Sequence, residues 1–359
     1  MSDELTLTIG GKILSGWDEV RVTRSIEHLP SDFELSLMDY YPGSNEQQMV
    51  KPGDPCVVKI GTDIVLTGYV DIWAPMISSA RHEVRATGRS RCQDLVDCSA
   101  EWQNNVISQA TALQIARKLA LPYGITVSSD VTDMDIVPQF TLNWGESSQE
   151  IIDRISRWAG LLYYDKPDGN LFLTRVGTQK AASGIAQGKN VQDAAYTSSI
   201  DERFSHYTGV SMSMDPATEL SPDSGYSSVT LATASDPEAA TMRYRNHIVI
   251  VESTMIAHNQ AQRCIDWEMN RRYGRSKTLQ ITVDSWRDSA GALWAPNTLI
   301  PITLPAFGLQ NALWLLSEVT YQKDDSGGTT ARMVLMPPAA FTVQPYEFYQ
   351  DHMELTHGR

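Results

Sequence analysis

Along the first hundred residues apolar and polar side chains alternate with a period of two, the spacing that sends one set to a buried sheet face and the other to a solvated one. Leu5, Leu7 and Ile9 lead into a Gly10-Gly11 turn, Val20 and Val22 mark a second strand, and Phe33, Leu35 and Leu37 a third. Val58 and Ile60, then Gly61-Thr62, then Ile64, Leu66, Gly68, Val70 and Ile72, predict a hairpin with a glycine-first tight turn. His82, Val84 and Ala86 supply one more strand before Gly88. About six short strands with no long helix predict a closed barrel or a sandwich, because closure removes the unpaired edges of an open sheet.

From about residue 108 the period lengthens to that of a helix. Leu113, Ile115, Ala116 and Leu119 predict a short helix ending before Pro122 and Gly124. Ser147 and Glu150 form a capping-box pattern ahead of Ile151, Ile152, Ile155, Trp158 and Ala159, with Gly160 as terminator. Leu161–Tyr164 and Leu171–Val176 flank an Asp168-Gly169 hairpin signal, completing a small α+β region. Residues 177–240 are rich in Gly, Ala, Ser, Asp and Thr, and Asp215-Pro216, Ser221-Pro222 and Asp236-Pro237 read as turns, so loops are expected there. His247–Val251 reads as a strand. Ala257, Ala261, Cys264, Ile265, Glu268 and Arg272 then lie along one side of a helix expected to stop at Gly274. Alternation returns in Leu279–Val283, in Leu299–Leu304, and in a long hairpin of Leu313–Tyr321 with Ala331–Leu335 across residues 324–328. The chain thus opens and closes in β structure, which predicts two barrel-like units separated by inserted helices. A tail from Pro337 onward carries Phe341, Tyr346, Phe348 and Tyr349 among polar residues, an apolar-anchored segment expected to pack on its own fold or on a partner.

With 359 residues the chain has room for two or three domains at ~150 residues each. Lys and Arg number 29 against 43 Asp and Glu, a formal charge of −14, which argues against a duplex-binding surface built from clustered cations. Cys56, Cys92, Cys98 and Cys264 form no CxxC pair and read as reduced core thiols; the seven histidines are scattered without metal-ligand spacing. The acidic start, and the lack of an apolar run near the ~18 residues of a membrane span, lead to the expectation of a protein folded in a cytoplasm with no membrane insertion.

Candidate chemistry is sparse. Neither GxGxxG nor GxxxxGK[ST] occurs, and no Gly-x-Ser-x-Gly elbow is present, so nucleotide use and serine hydrolysis have no support. Glu146 and Glu150 lie one turn apart at a helix start, where the dipole favours negative charge, and that role accounts for them without catalysis. Trp158 and Trp314 belong to apolar runs and read as core, and the acidic Asp324–Gly328 loop lacks the bidentate Glu of a calcium loop. No catalytic, cofactor or metal residue is assigned, and weight moves from enzyme toward an interaction protein.

An ordered series of short motifs resembles a known family. Trp17, Val20-Arg-Val-Thr-Arg-Ser-Ile26, the Phe33–Asp39 strand, Pro52-Gly53, Leu66-Thr-Gly-Tyr-Val-Asp71, Gly88-Arg-Ser-Arg91 and Asp94-Leu-Val-Asp-Cys-Ser99 look like the N-terminal barrel of baseplate hub proteins of contractile-tailed phages. Pro122-Tyr-Gly-Ile125, Gly145-Glu146, Gly160-Leu-Leu162, Gly169-Asn-Leu171, Arg203-Phe-Ser205, Gly291 to Asn297 and the hairpin at Gly327-Gly328 are similar to the Mu-like tail protein P family, with a likeness to T-even hubs and the hub region of type VI secretion spikes. The resemblance spans about residues 1–340; its specificity lies in the order of the motifs, and 177–240 and the extreme C-terminus carry little of it.

The resemblance implies an α+β, mainly β chain with two tube-like antiparallel β-barrel domains, an α+β domain and an inserted helix between them. The implied division is 1–100 for the first barrel, 101–180 for the α+β domain, 181–215 with 275–340 for the second barrel, 216–274 for an inserted region and 341–359 for the tail. It implies a non-enzymatic structural hub in the virion tail baseplate, made and assembled in the bacterial host cytoplasm: a homotrimeric ring that adapts a sixfold tail tube to a threefold spike. Implied partners are its own copies, a trimeric tail spike protein, a tail tube or tube-initiator protein and baseplate wedge proteins, with DNA passing without specific binding and no cofactor. Arg89 against Asp94 or Asp97 is expected as a local ion pair closing the first barrel or as a subunit contact, with Phe341, Tyr346, Phe348 and Tyr349 as further contact residues. Competing readings are a baseplate-borne peptidoglycan hydrolase, a tail carbohydrate-binding module and a type VI hub part.

Overall fold

The computed structural model describes residues 3–38, 50–78, 82–102, 105–134, 136–137, 140–212, 228–250, 258–324 and 327–342. The fold is mainly β, with 48% of the described residues in strands against 20% in helices, and a curled half-barrel sheet is its largest element.

The N-terminal strands are β1 (Leu5–Ile9), β2 (Lys12–Leu14), β3 (Glu19–Ser25), β4 (Asp32–Met38), β5 (Pro55–Ile60), β6 (Asp63–Ile77) and β7 (His82–Ser90). Their alternation is realised as expected: Val20, Val22, Phe33, Leu35, Val58 and Ile60 are buried, while Arg21 and Glu34 between them are not. The β5–β6 hairpin turns on two residues, with Gly61 at φ +60°, a conformation that a residue with a Cβ rarely adopts. A short helix α1 (Gln93–Asp97) follows β7.

The middle region holds the two-residue strands β8 (Val106–Ile107), β9 (Ala110–Thr111), β11 (Ile136–Val137) and β12 (Phe140–Thr141), and the longer β10 (Val127–Ser129), β13 (Leu162–Asp165) and β14 (Leu171–Thr174). Helices α2 (Ala112–Ala120) and α3 (Ser148–Trp158) pack over them. Both helices open with complete capping boxes, Ser147 with Glu150 as the sequence predicts and Thr111 with Gln114 besides. Ile115, Ala116, Leu119, Ile151, Ile152 and Ile155 form a core with Leu171 and Leu173 that is separate from that of the large sheet.

The third region contains β15 (Ile185–Ala186), β16 (Val191–Ser198), β17 (His206–Met212), β18 (Ser228–Ser235), α4 (Pro237–Met242), β19 (Asn246–Ile250), α5 (His258–Arg275), β20 (Lys277–Val283), β21 (Leu299–Leu304), β22 (Leu309–Asp324) and β23 (Gly328–Met336). Here two expectations are corrected. Much of 177–240 is regular: β16 is a half-exposed end strand, so small and polar residues suit it, and Asp236-Pro237 is not a turn but the N-cap and first residue of α4. Asp215-Pro216 and Ser221-Pro222 lie outside the described residues. α5 ends at Arg275, one residue past the expected Gly274, and Gly274 also lets the helix touch residues 338–341, because a Cβ there would stand 2.2 Å from the Ala340 amide nitrogen.

One 13-stranded sheet joins the two ends of the chain, in the order β16-β20-β23-β22-β3-β4-β7-β6-β5-β1-β2, with β21 also on β22 and β15 on β21. A pairing pattern occurs in it twice. β3-β4-β7-β6-β5 runs through the N-terminal half and β16-β20-β23-β22-β21 through the C-terminal half, each with a long hairpin strand, β6 or β22, carrying a register shift near its middle. The halves meet where β22 pairs antiparallel with β3, from Glu318 opposite Ser25 to Lys323 opposite Val20. Val22, Val319 and Tyr321 are fully buried at this joint, and the hydroxyls of Thr23 and Thr320 hydrogen-bond at 3.2 Å on its other face. One hydrophobic core runs beneath both halves, from Leu5 and Val22 to Leu279, Trp286 and Leu335.

Candidate assembly surfaces

The large sheet leaves strand edges open among the described residues. β16 pairs with β20 on one side only. β6 pairs with β5 over Asp63–Tyr69, but from Ile72 to Ile77 it pairs with β7 alone. That free stretch exposes Ile72 (57%), Met76 (54%) and Ile77 (79%), a contiguous apolar run of the kind that soluble surfaces normally avoid.

Arg89 stands at the root of the same hairpin. Its Nε donates to Asp71 Oδ2 at 2.6 Å, and its two terminal nitrogens grip Asp97 at 3.1 and 2.7 Å. The ion pair expected with Asp94 or Asp97 is therefore formed with Asp97 and Asp71, tying β6 and β7 to α1. The hydrogen bond from Arg89 holds Asp97 below the usual carboxylate range. Asp94 is pushed up, by burial first and by the charge of Asp97 second. Asp71 is the extra residue at the β6 register shift between Val70 and Ile72, so strand alternation gave no sign that it would meet Arg89.

Of the aromatic tail residues, Phe341 is buried against Ile26, Leu315 and Ala340, so its ring is spent on the chain's own fold. Tyr346, Phe348 and Tyr349 lie outside the described residues. The Trp267 indole N–H donates to the Thr342 carbonyl, fixing the point where the tail leaves α5.

A buried ion cluster organises the β17–β19 sheet. Arg203 donates to Asp236 through Nε at 2.6 Å and a terminal nitrogen at 2.9 Å, and the same nitrogen reaches Glu238 at 2.9 Å. Asp236 also accepts from the Glu238 and Ala239 amides at the start of α4. Burial works to raise the Asp236 pKa, but these hydrogen bonds outweigh it and the carboxyl ends below its ordinary range. Glu238 is lowered as well, chiefly by its hydrogen bond from Arg203. The cluster joins elements and presents no reactive group.

The acids that the sequence singled out, and those beside the recess of α3 and α5, are similarly engaged. Glu146 pairs with Arg154 at 3.1 Å and Glu150 caps α3. In the recess of about 220 Å³ between α3, α5 and residues 340–341, Asp153 pairs with Arg157 at 2.6 Å and Glu27 with Arg275 at 2.8 Å. Among the described residues no group of three or more His, Cys, Asp or Glu is placed to hold a metal ion, and no helix is long and apolar enough to cross a membrane. What the molecule offers is sheet edges and exposed apolar strand, the equipment of assembly.

Comparison with known proteins agrees. The family model of the Mu phage baseplate assembly protein GpP-like N-terminal domain matches residues 4–90, that of the baseplate hub protein gp44-like second domain matches 92–175, and that of the GpP fourth domain matches 257–344. The chain is 30% identical to the baseplate hub protein gp44 of Escherichia phage Mu over 346 residues, 96% of this chain and 90% of that one. It is similar to the 43 kDa tail protein of prophage MuSo2 from Shewanella oneidensis, with a TM-score of 0.81 and 29% identity over 97% of this chain and 100% of that one. A tail protein from Neisseria meningitidis MC58 shares the fold, with a TM-score of 0.76 at 21% identity over 96% of this chain and 99% of that one. The chain belongs to the Mu-type baseplate hub protein family, whose members are structural components of the phage tail and not enzymes.

Proposed function

We propose that this hub works as a homotrimeric ring in which each chain contributes two equivalent tube-like β units, so that three copies present six units toward a sixfold tail tube while the true threefold axis meets a trimeric spike. The observation that carries this reading is the doubled pairing pattern, β3-β4-β7-β6-β5 and β16-β20-β23-β22-β21, within one sheet. In this reading residues 1–100 are the first barrel domain, 101–180 the α+β domain, 181–215 with 275–340 the second barrel, 216–274 an insertion and 341–359 a tail. The partners are other copies of the chain, a tube or tube-initiator protein, a spike and wedge proteins. DNA would pass through the ring, and three chains bring 3 × (−14) = −42 charges, a bias that keeps phosphates from adhering if it faces the lumen. The host cytoplasm is where the chain would be made and assembled.

Light scattering tests the ring directly. A mass three times 39.9 kDa that persists on dilution is the expected result; a monomer at every concentration overturns it.

A further inference from the structure

The internal repeat also invites a comparison of the edges of its two halves. The rows of residues across each half correspond position by position. In the C-terminal half Thr320, Arg332, Thr282 and Asp193 lie side by side across β22, β23, β20 and β16. In the N-terminal half Ala74, Arg85, Ser36 and Glu19 do the same across β6, β7, β4 and β3. The row Val319, Met333, Ile281, Ala194 likewise matches Trp73, Ala86, Leu35, Val20. The register shifts fall at matching points, between Leu316 and Glu318 and between Val70 and Ile72. Residues 318–323 therefore correspond to 72–77, and 20–25 to 194–199.

In the C-terminal half the stretch 318–323 is covered along its edge by β3. Among the described residues its counterpart, 72–77, pairs with no strand there, and β16, the counterpart of β3, pairs with none on its outer edge. Burial records the difference. Val319, Thr320 and Tyr321 are buried, whereas Ala74 and Pro75 are exposed and Trp73 is half-buried; Val20 and Val22 are buried, whereas Ala194 and Tyr196 are half-buried. Both bare stretches, Ile72–Ile77 and Ala194–Ser199, lack any charged residue, although charges are the usual guard on an exposed edge.

We propose that the 72–77 edge of one copy pairs antiparallel with the 194–199 edge of a second copy, repeating between chains the joint that β22 and β3 make within one. The register carried over sets Ile72 opposite Ser199 of the partner subunit, Ala74 opposite Thr197 of the partner subunit, Pro75 opposite Tyr196 of the partner subunit and Ile77 opposite Ala194 of the partner subunit. Pro75 has no N–H, so the seam carries at most one ladder bond fewer than its template. Each copy holds one edge of each kind on different strands, so the contact is head to tail, the type that closes into a ring and not a twofold pair. The seam rests on the ring reading above and specifies its contact.

The test is site-directed cross-linking of the full chain. Ala74→Cys together with Thr197→Cys places thiols opposite each other across the seam, on the exposed face, at the ~4.5–5.5 Å Cβ spacing of a directly paired position. Oxidation is expected to convert this variant into covalent species of two and three chains on non-reducing gels. Ala74→Cys with Gln192→Cys, five residues out of register or roughly 17 Å away, is expected to stay single, as are both single variants and the unmodified chain. A trimeric mass with no cross-link at 74 and 197 overturns the seam and leaves the ring standing. A monomeric mass with no cross-link overturns both.

Discussion

Replacing Asp236 by Ala probes what holds the β17–β19 sheet to its neighbours. The substitution leaves Arg203, 3% exposed, without its bidentate partner, and removes the acceptor for two amides at the start of α4. Stripping one member from a buried ion pair costs ~3–5 kcal/mol, and loss of an N-cap ~1 kcal/mol. Glu238 remains 2.9 Å from the guanidinium, which keeps the first figure at its lower end, and one carboxylate serves both roles, so the two losses do not simply add. The expected total is about 3–4 kcal/mol. Asp236→Asn keeps Oδ1 for the cap but loses the charge and sets an amide NH2 against the Arg203 Nε–H that Oδ2 now accepts, so its cost should fall short of the alanine variant's only by the cap's ~1 kcal/mol. Native-state hydrogen exchange reads this locally. Amides of β17 and β18 should exchange roughly a hundred to a thousand times faster in the alanine variant, at ~1.4 kcal/mol per decade, while those of β4 and β7 keep their protection. A change below about 1 kcal/mol at β17, or an equal change throughout the large sheet, would refute the assignment of this cluster as the local anchor.

Four further outcomes follow from the same geometry. Asp236 and Glu238 titrate in the folded protein below the ordinary carboxylate values of 3.8 and 4.5, so their contribution is present above about pH 4.5 and is lost as acid protonates them; below pH 4, protection against exchange at β17 should fall before that at β4 does. Gly88→Ala puts a Cβ 2.3 Å from the Tyr69 carbonyl oxygen and 2.5 Å from the Phe33 ring, and should cost about 1–3 kcal/mol in thermal or urea unfolding. The Cys56 thiol, raised by burial to about 12, should resist iodoacetamide at pH 8 until denaturant opens the core; rapid native alkylation would contradict its burial. Arg89→Ala breaks partly solvated pairs to Asp71 and Asp97 and should change monomer stability by no more than ~1 kcal/mol, so a larger drop in trimer mass than in melting temperature would move Arg89 into a subunit contact.

Strands with a buried face were legible because alternation is a local signal: Leu5 to Ile9, Val20 to Val22 and Phe33 to Leu35 all fall where the pattern puts them. The Ser147 cap and the Gly61 turn were legible for the same reason, each needing only a few neighbouring residues. β16 and β18 were not, because an edge or half-solvated strand can be built of Ala, Thr and Ser and looks like a loop. The Arg203–Asp236 pair joins residues 33 apart and gives no periodic sign. The pairing of β22 with β3 is beyond any local pattern, and neither partner differs in composition from an ordinary half-buried strand. For the assembly surfaces, the sequence supplied Arg89 and Asp97 but not the bare edge at 72–77, whose meaning depends on what the matching strand does almost 250 residues later.

The union of the two ends has a cost during synthesis. Thr23 waits for Thr320, 297 residues downstream, and at ~5–20 residues per second a ribosome takes roughly 15–60 s to deliver it. Throughout that interval the nascent β3 has an unpaired flank beside an emerging hydrophobic layer, so crowded polysomes making this polypeptide would tend to stick to one another unless a holdase shields the early half.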